Sequence, residues 1–353
     1  MRLLIEQRVG AESLNLSGSD QTLAAALRLV FGTLSARATV ALADGGRFGM
    51  VGVRININSS SSDATGVNMG QRERGFYQLD VFGTQPFSGN PLAVVVDAED
   101  LTTQQMQEIS TWTNLSECTF LLPPTSSEAD YRVRIFSLEH EIPFAGHPTL
   151  GTARAWLEAG NQPRHEGLIA QECEVGLVSV RYSGDELAFA APPLVRSGPV
   201  DDELRATLGA VLGVASEDIV DAAWIDNGPG WVGILLRNAE ATLSVQPDLS
   251  RSPDSGNLHL GVIGAYPPGS EHAFEIRGFF ADNSGQIRED PVTGSLNASA
   301  AQWMVDTNRA QPPYTVRQGT AMQRSGRISV QTDQTELWIG GSTTVAITGT
   351  IHA

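Results

Sequence analysis

The sequence predicts an α+β fold made of two equivalent half-molecules, and three observations lead there. Short strand-like segments broken by Gly and Pro dominate the chain, and long helical patterns are few, which favours α+β over a doubly wound sheet. A pattern of Arg, Phe, Pro and Gly recurs 143 residues apart. The chain has 353 residues, 41% of them hydrophobic, enough apolar material for two domains rather than one.

Residues 1–75 differ from the rest. They carry 8 Arg against 6 Asp plus Glu, a net of +2, which leaves −19 on the remainder. A short helix is predicted over Thr22 to Phe31, a hairpin around Asp44-Gly45-Gly46, and a flexible polar linker over Asn56 to Asp63. This segment reads as an appendage, disordered or arising from a start-site error, with Met69 as an alternative start. The first lobe is then expected over 76–193 and the second over 194–353, with the C-terminal end returning to the first.

From Phe76 onward the pattern tightens. Tyr77, Leu79 and Val81 alternate with polar neighbours, as a half-buried strand does. Ser88-Gly89-Asn90-Pro91 reads as a turn, and Leu92 to Val96 as a buried strand. Leu101 to Trp112 reads as a helix capped by Thr102 or Thr103, and Thr119 to Leu122 returns to strand.

The repeat comes next. Arg134-Ile135-Phe136 precedes His147-Pro148-Thr149-Leu150-Gly151-Thr152, and Arg277-Gly278-Phe279 precedes Asp290-Pro291-Val292-Thr293-Gly294-Ser295. In both copies the Arg stands 13 residues before the His or Asp. Pro148 and Pro291 suit a first helical position, where a missing N–H costs nothing. Asp290 suits the N-cap, and His147 takes the matching place. Small and apolar residues follow, so both helices are expected to be buried. Two facing halves would bring two helix N-termini to one cleft, a setting for a carboxylate.

Composition excludes several classes. A net charge of −17 without a basic stripe argues against nucleic acid as a partner. All 23 basic residues are Arg, so neither a lysine Schiff base nor a lysine-containing phosphate loop is available. Cys118 and Cys173 form no CxxC pair, and the six His show no ligand spacing, so no metal site is expected. No apolar run reaches the roughly 18 residues of a membrane span, and the N-terminus lacks a secretion signal, so a cytoplasmic protein is expected.

Several stretches then resemble the PhzF family of phenazine biosynthesis. They are Leu79-Asp80-Val81-Phe82, Gly89-Asn90-Pro91-Leu92-Ala93-Val94-Val95, Asn114-Leu115-Ser116-Glu117 and Ile142-Pro143-Phe144-Ala145-Gly146-His147-Pro148-Thr149-Leu150-Gly151. Gln171-Glu172-Cys173, Glu289-Asp290-Pro291-Val292-Thr293-Gly294-Ser295 and Gln318-Gly319 continue the match in order. The resemblance implies a diaminopimelate epimerase-like fold, each lobe a barrel-like, mostly antiparallel sheet around a central helix. It implies an isomerase that needs no metal or organic cofactor, moving a proton within a small unsaturated cyclic carboxylic acid, with dihydro-hydroxyanthranilate as the named substrate. It also suggests a homodimer.

The resemblance makes Glu117 the base and gives His147 and Asp290 roles in substrate binding and proton movement. The apolar context of Glu117, Leu115 before and Phe120-Leu121-Leu122 after, would raise its pKa by desolvation. Gly146, Thr293, Gly294 and Ser295 would offer N–H groups or a hydroxyl to the substrate carboxylate, and Asn90 would stand in the pocket wall or serve the turn. Related epimerases use two thiols at these helix tips; here Gly146-His147 and Asp290 take those places, and Cys118 should face away from the cleft. An amino-acid-type epimerase or racemase, or a small-acid-binding protein without catalysis, are the competing readings.

Overall fold

The computed structural model describes residues 14–15, 52–53, 72–251, 259–281, 286–333 and 335–353. The chain divides into two compact units, Met1–Met69 and Gly70–Ala353. Of the first unit, the described residues are two short antiparallel strands, β1 (Leu14–Asn15) and β2 (Gly52–Val53). The helix, hairpin and linker expected at Thr22–Phe31, Asp44–Gly46 and Asn56–Asp63 lie outside the described residues. The second unit starts six residues before the expected boundary at residue 76. Residues 73–75 already belong to the sheet, paired with Thr350–His352.

Within the second unit one order of elements occurs twice. The first half runs β3 (Glu73–Val81), β4 (Asn90–Val95), α1 (Thr103–Thr113), β5 (Glu117–Leu122), β6 (Tyr131–Ser137), β7 (Glu141–Ile142), α2 (Gly146–Glu158), β8 (Leu168–Cys173), β9 (Gly176–Ser183) and β10 (Glu186–Ala190). A connection of β11 (Arg196–Pro199) and α3 (Asp202–Leu212) follows. The second half runs β12 (Ile219–Asp226), β13 (Trp231–Leu236), α4 (Ala239–Ser244), β14 (His259–Ala265), β15 (Phe274–Ala281), β16 (Ile287–Asp290), α5 (Gly294–Asp306), β17 (Tyr314–Gln318), β18 (Gly326–Thr332) and β19 (Leu337–His352).

The pairings repeat as well. In each half an antiparallel pair is followed by a parallel neighbour across a helix, β4 with β5 and β13 with β14. The strand after the central helix then pairs in parallel with an earlier one, β8 with β6 and β17 with β15. The 16-residue β19 joins the halves. Its first part pairs with β10 and β18, and its second part, from Thr343, pairs with β3.

Local chemistry explains the elements nearest the site. Thr102 and Gln105 form a reciprocal capping box at the start of α1, and Asn114 in the left-handed region ends it. This turns the chain into β5 with Glu117 as its first residue. Ser88-Gly89 ends the β3–β4 turn, but Asn90 and Pro91 are already strand, so the turn expected over Ser88–Pro91 closes two residues earlier. The central helices α2 and α5 are buried on nearly every face, as helices of small residues wrapped by a sheet must be.

The repeat is real, but its register differs from the one expected. Both central helices have 13 residues and start at Gly146 and Gly294, so Gly146 corresponds to Gly294 and His147 to Ser295. Pro148 is therefore the third helical residue, and Pro291 stands three residues before its helix. Asp290 is not an N-cap; it is the last residue of β16. The corresponding segments are Glu141-Ile142-Pro143-Phe144-Ala145-Gly146 and Glu289-Asp290-Pro291-Val292-Thr293-Gly294. A bidentate clamp marks the true frame in both. Arg134 grips Glu141 at 2.6 and 2.6 Å, and Arg277 grips Glu289 at 2.9 and 2.8 Å. The second hairpin is five residues longer between Arg and Glu, and that shift set the spacing of the sequence pattern astray.

Candidate active site

The N-termini of α2 and α5 meet. A Cβ on Gly146 would lie 2.8 Å from the Cα of Gly294, and one on Gly294 would lie 2.7 Å from the Cα of Gly146. Only glycine at both places allows this approach. Neither helix has a side-chain cap: Ala145 has no polar atom to offer, and Thr293 directs its hydroxyl elsewhere. No side-chain cap thus occupies the first-turn amides of either helix.

Around this contact five predicted residues are joined. Glu117 Oε2 on β5 lies 3.4 Å from His147 Nε2 on α2. Asn90, wholly buried at the start of β4, donates from Nδ2 to Asp290 Oδ1 (2.9 Å) and Val292 O (2.9 Å), and lies 3.3 Å from His147 Nδ1. The Thr293 hydroxyl donates to Asp290 Oδ2 at 2.7 Å. Ser295 stands apart from this network, its Oγ accepting from Trp231 Nε1 at 3.0 Å, while its carbonyl accepts from Asn227 Nδ2 at 3.0 Å.

Gln318 on β17 organises the Asp290 side. Its Oε1 accepts from the Thr293 and Asn297 nitrogens (3.0 and 2.8 Å), which fixes the amide so that Nε2 donates to Thr293 Oγ1 at 2.9 Å. The threonine hydroxyl then has its own hydrogen free for Asp290. Gln318 appeared in a motif of the sequence without a role. Trp231 and Asn227 left no local signal, since their partners lie 64 and 68 residues away.

Burial shifts all three titratable groups of the site toward their neutral forms. Burial holds the Glu117 carboxyl well above the ordinary carboxylate range, and the charge of Asp290 adds to this. Burial also lifts Asp290 to about 6, against hydrogen bonds from Thr293 and Asn90 that favour its carboxylate. His147 is pushed down to about 3 by burial, so its contact with Glu117 is not an ion pair at neutral pH. Glu117 Oε2 and His147 Nε2 are buried and make no hydrogen bond, not even with each other, so both could serve a bound molecule.

Cys118 faces away, packed with Met106 and Phe136 under α1, and burial pushes its thiol up to about 12. A hollow of about 640 Å³ lies elsewhere, on the face of β8, β9, β10, β18 and β19, and holds none of the predicted site residues. Among the described residues, no group of three or more His, Cys, Asp and Glu is placed to hold a metal ion, and no helix is long and apolar enough to cross a membrane.

Comparison with known proteins agrees with this architecture. The profile of the PhzC-PhzF family, described as phenazine biosynthesis-like protein, matches residues 79–351. Antisense-enhancing sequence 1 of Schizosaccharomyces pombe is 35% identical over 78% of this chain and 98% of its own. The trans-2,3-dihydro-3-hydroxyanthranilate isomerase of Pseudomonas aeruginosa is 33% identical over 71% of this chain and 87% of its own. A PhzF family crystal structure from Enterococcus faecalis superposes with a TM-score of 0.64 at 25% identity, covering 80% of this chain and all of that one. The α+β, diaminopimelate epimerase-like fold expected from the sequence is the one present. The chain is an isomerase and belongs to the PhzC-PhzF family of phenazine biosynthesis-like proteins.

Proposed function

We propose that this isomerase shifts a proton within a small unsaturated cyclic carboxylic acid, of the kind named by its trans-2,3-dihydro-3-hydroxyanthranilate isomerase relatives, with Glu117 as the base. The observation that carries the reading is the 3.4 Å approach of Glu117 Oε2 to His147 Nε2 beside two uncapped helix N-termini. A substrate carboxylate would take the free amides at Gly146, Gly294 and Ser295, whose dipoles favour negative charge. Glu117, as carboxylate, would take a proton from a ring carbon and return it to another carbon of the same molecule, the double bonds moving in between. A carboxyl raised above its ordinary range suits both steps, because it binds the proton strongly enough to take it and is neutral while carrying it. Neutral His147 would donate from Nε2 to the substrate, and Asp290 with Thr293 would hold the opposite edge.

The reading needs no metal or organic cofactor. It sets the boundary between the lobes near residue 193, and it takes the molecule to be a cytoplasmic homodimer, which light scattering tests. The decisive experiment follows trans-2,3-dihydro-3-hydroxyanthranilate by NMR in deuterated buffer containing EDTA, with wild type and Glu117→Gln. Deuterium gain with double-bond movement in wild type alone is expected. Turnover retained by the folded variant removes Glu117 as base, and exchange at a stereocentre without double-bond movement makes the protein an epimerase.

A further inference from the structure

Asn90 has two amide hydrogens and three polar atoms around them, of which His147 Nδ1 accepts only in the Nε2–H tautomer. Val292 O and Asp290 Oδ1 are at 2.9 Å and His147 Nδ1 at 3.3 Å. The amide cannot be turned over, because its oxygen would then face the oxygens of Asp290 and Val292. As it stands, Oδ1 of Asn90 is buried without a partner, so the residue is oriented for its hydrogens alone. Val292 O is a backbone carbonyl and always accepts. The remaining hydrogen is contested between Asp290, from the second half, and His147, from the first. Asp290 Oδ2 is already served by Thr293, so Oδ1 relies on Asn90.

We propose that Asn90 is a positioning residue that couples Asp290 to His147: while Asp290 is a carboxylate it claims the contested hydrogen, and when Asp290 takes up a proton the hydrogen passes to His147 Nδ1 and fixes the Nε2–H tautomer toward Glu117. The inference rests on the proposed roles of these residues and adds how their protonation states are tied together. The groups that act on this pair are known from the same neighbourhood. The charge of Glu289, held by Arg277 on the other side of the strand, raises Asp290, Thr293 and Asn90 donate to it, its own charge raises Glu117, and Glu117 stands against Nε2 of His147. A neutral carboxylic acid is a weaker acceptor than an imidazole nitrogen, and this difference drives the transfer.

The test does not depend on knowing the substrate. Nitrogen-15 NMR of the ring nitrogens of His147 in the full chain is recorded from pH 5 to pH 8. The expected result is an Nε2–H tautomer whose Nδ1 resonance moves with the titration of Asp290 and is fixed in Asp290→Asn. An Nδ1–H tautomer in wild type, or an Nδ1 resonance indifferent to pH and to Asp290→Asn, overturns the proposal. In Asn90→Ala, loss of the hydrogen bond raises the titration of Asp290 and unbiases the tautomer. There kcat falls about 10- to 100-fold with KM little changed, the fold-change expected for a hydrogen bond to a charged group. Asn90→Ala with a wild-type pH profile and tautomer also overturns it. If Asn90→Ala does not fold, the wild-type and Asp290→Asn spectra still decide. Failure of the coupling with Glu117-dependent turnover intact leaves the proposed function standing, and the reverse outcome leaves the coupling standing.

Discussion

The tips of α2 and α5 occupy the same place in two copies of one frame, yet they are furnished differently. The clamp, the proline and the glycine recur: Arg134–Glu141, Pro143 and Gly146 in one half, Arg277–Glu289, Pro291 and Gly294 in the other. The polar residues do not. His147 corresponds to Ser295, and Asp290 corresponds to Ile142. Strand register extends the contrast. Cys118 pairs with Phe136 and Leu260 with Phe279, so Glu117 corresponds to His259. His259 has its ring between those of Trp231 (5.3 Å) and Phe280 (6.3 Å), a wall rather than a base. The repeated parts build the geometry, and the unrepeated ones carry the groups proposed here as acid and base, from different positions on either side.

The sharpest way to break this comparison is to treat the two equivalent strand positions alike. Glu117→Gln is expected to lower kcat by about 10²–10⁴-fold, the span of general base catalysis, with a wild-type circular dichroism spectrum. His259→Gln should cost far less than that. Equal losses at both positions would mean that the second lobe also contributes a proton-transfer group.

The next effect is on stability. Asp290 is lifted from the usual 3.8 to about 6, so the folded chain holds a proton that the unfolded chain releases. Its stabilising contribution is whole below pH 4 and is lost as pH rises through about 6, a change of about 3 kcal/mol for two pKa units. His147, depressed to about 3, acts in the opposite sense, since the unfolded chain takes up a proton below its usual 6.5. Thermal melts from pH 4 to pH 8 should therefore show a different slope for Asp290→Asn than for wild type, with the acid-side gain removed. Identical slopes would mean that Asp290 titrates normally.

The glycine contact makes the two tips equal again. Gly146→Ala and Gly294→Ala each force a methyl against backbone of the facing helix, which cannot swing aside. Each should cost about 1–3 kcal/mol, read as a fall of several degrees in Tm, and the two falls should be similar. A large difference between them would show that the pseudo-twofold relation does not hold at its own axis.

These contrasts also explain what the sequence could reveal. The repeat, the α1 helix with its Thr102 cap and the strands around Leu79 and Leu92 were legible because their signals are local. The helix starts were not. Pro-x-x-Gly occurs at 148–151 and at 291–294, and the match drew the two copies into a register five residues off on one side. The clamp that marks the true register depends on hairpin length, which no local rule supplies. Asn90 was legible as a residue of interest but not as a hub, because its partners come from 57 to 202 residues away. Gln318 orients Thr293 only once β17 is in place.

The smallest effect concerns two neighbours on one strand. Glu117 and Cys118 point to opposite faces of β5, one toward α2 and the other into the cluster under α1. A thiol pushed up to about 12 is no base at neutral pH, and it lies buried in the cluster with Met106 and Phe136. Cys118→Ala should therefore leave kcat and its pH profile unchanged while lowering Tm slightly through the small cavity it opens. If instead turnover fell with the thiol, β5 would have to twist between these two residues, and the inward placement of Glu117 on which the acid–base reading depends would fail with it.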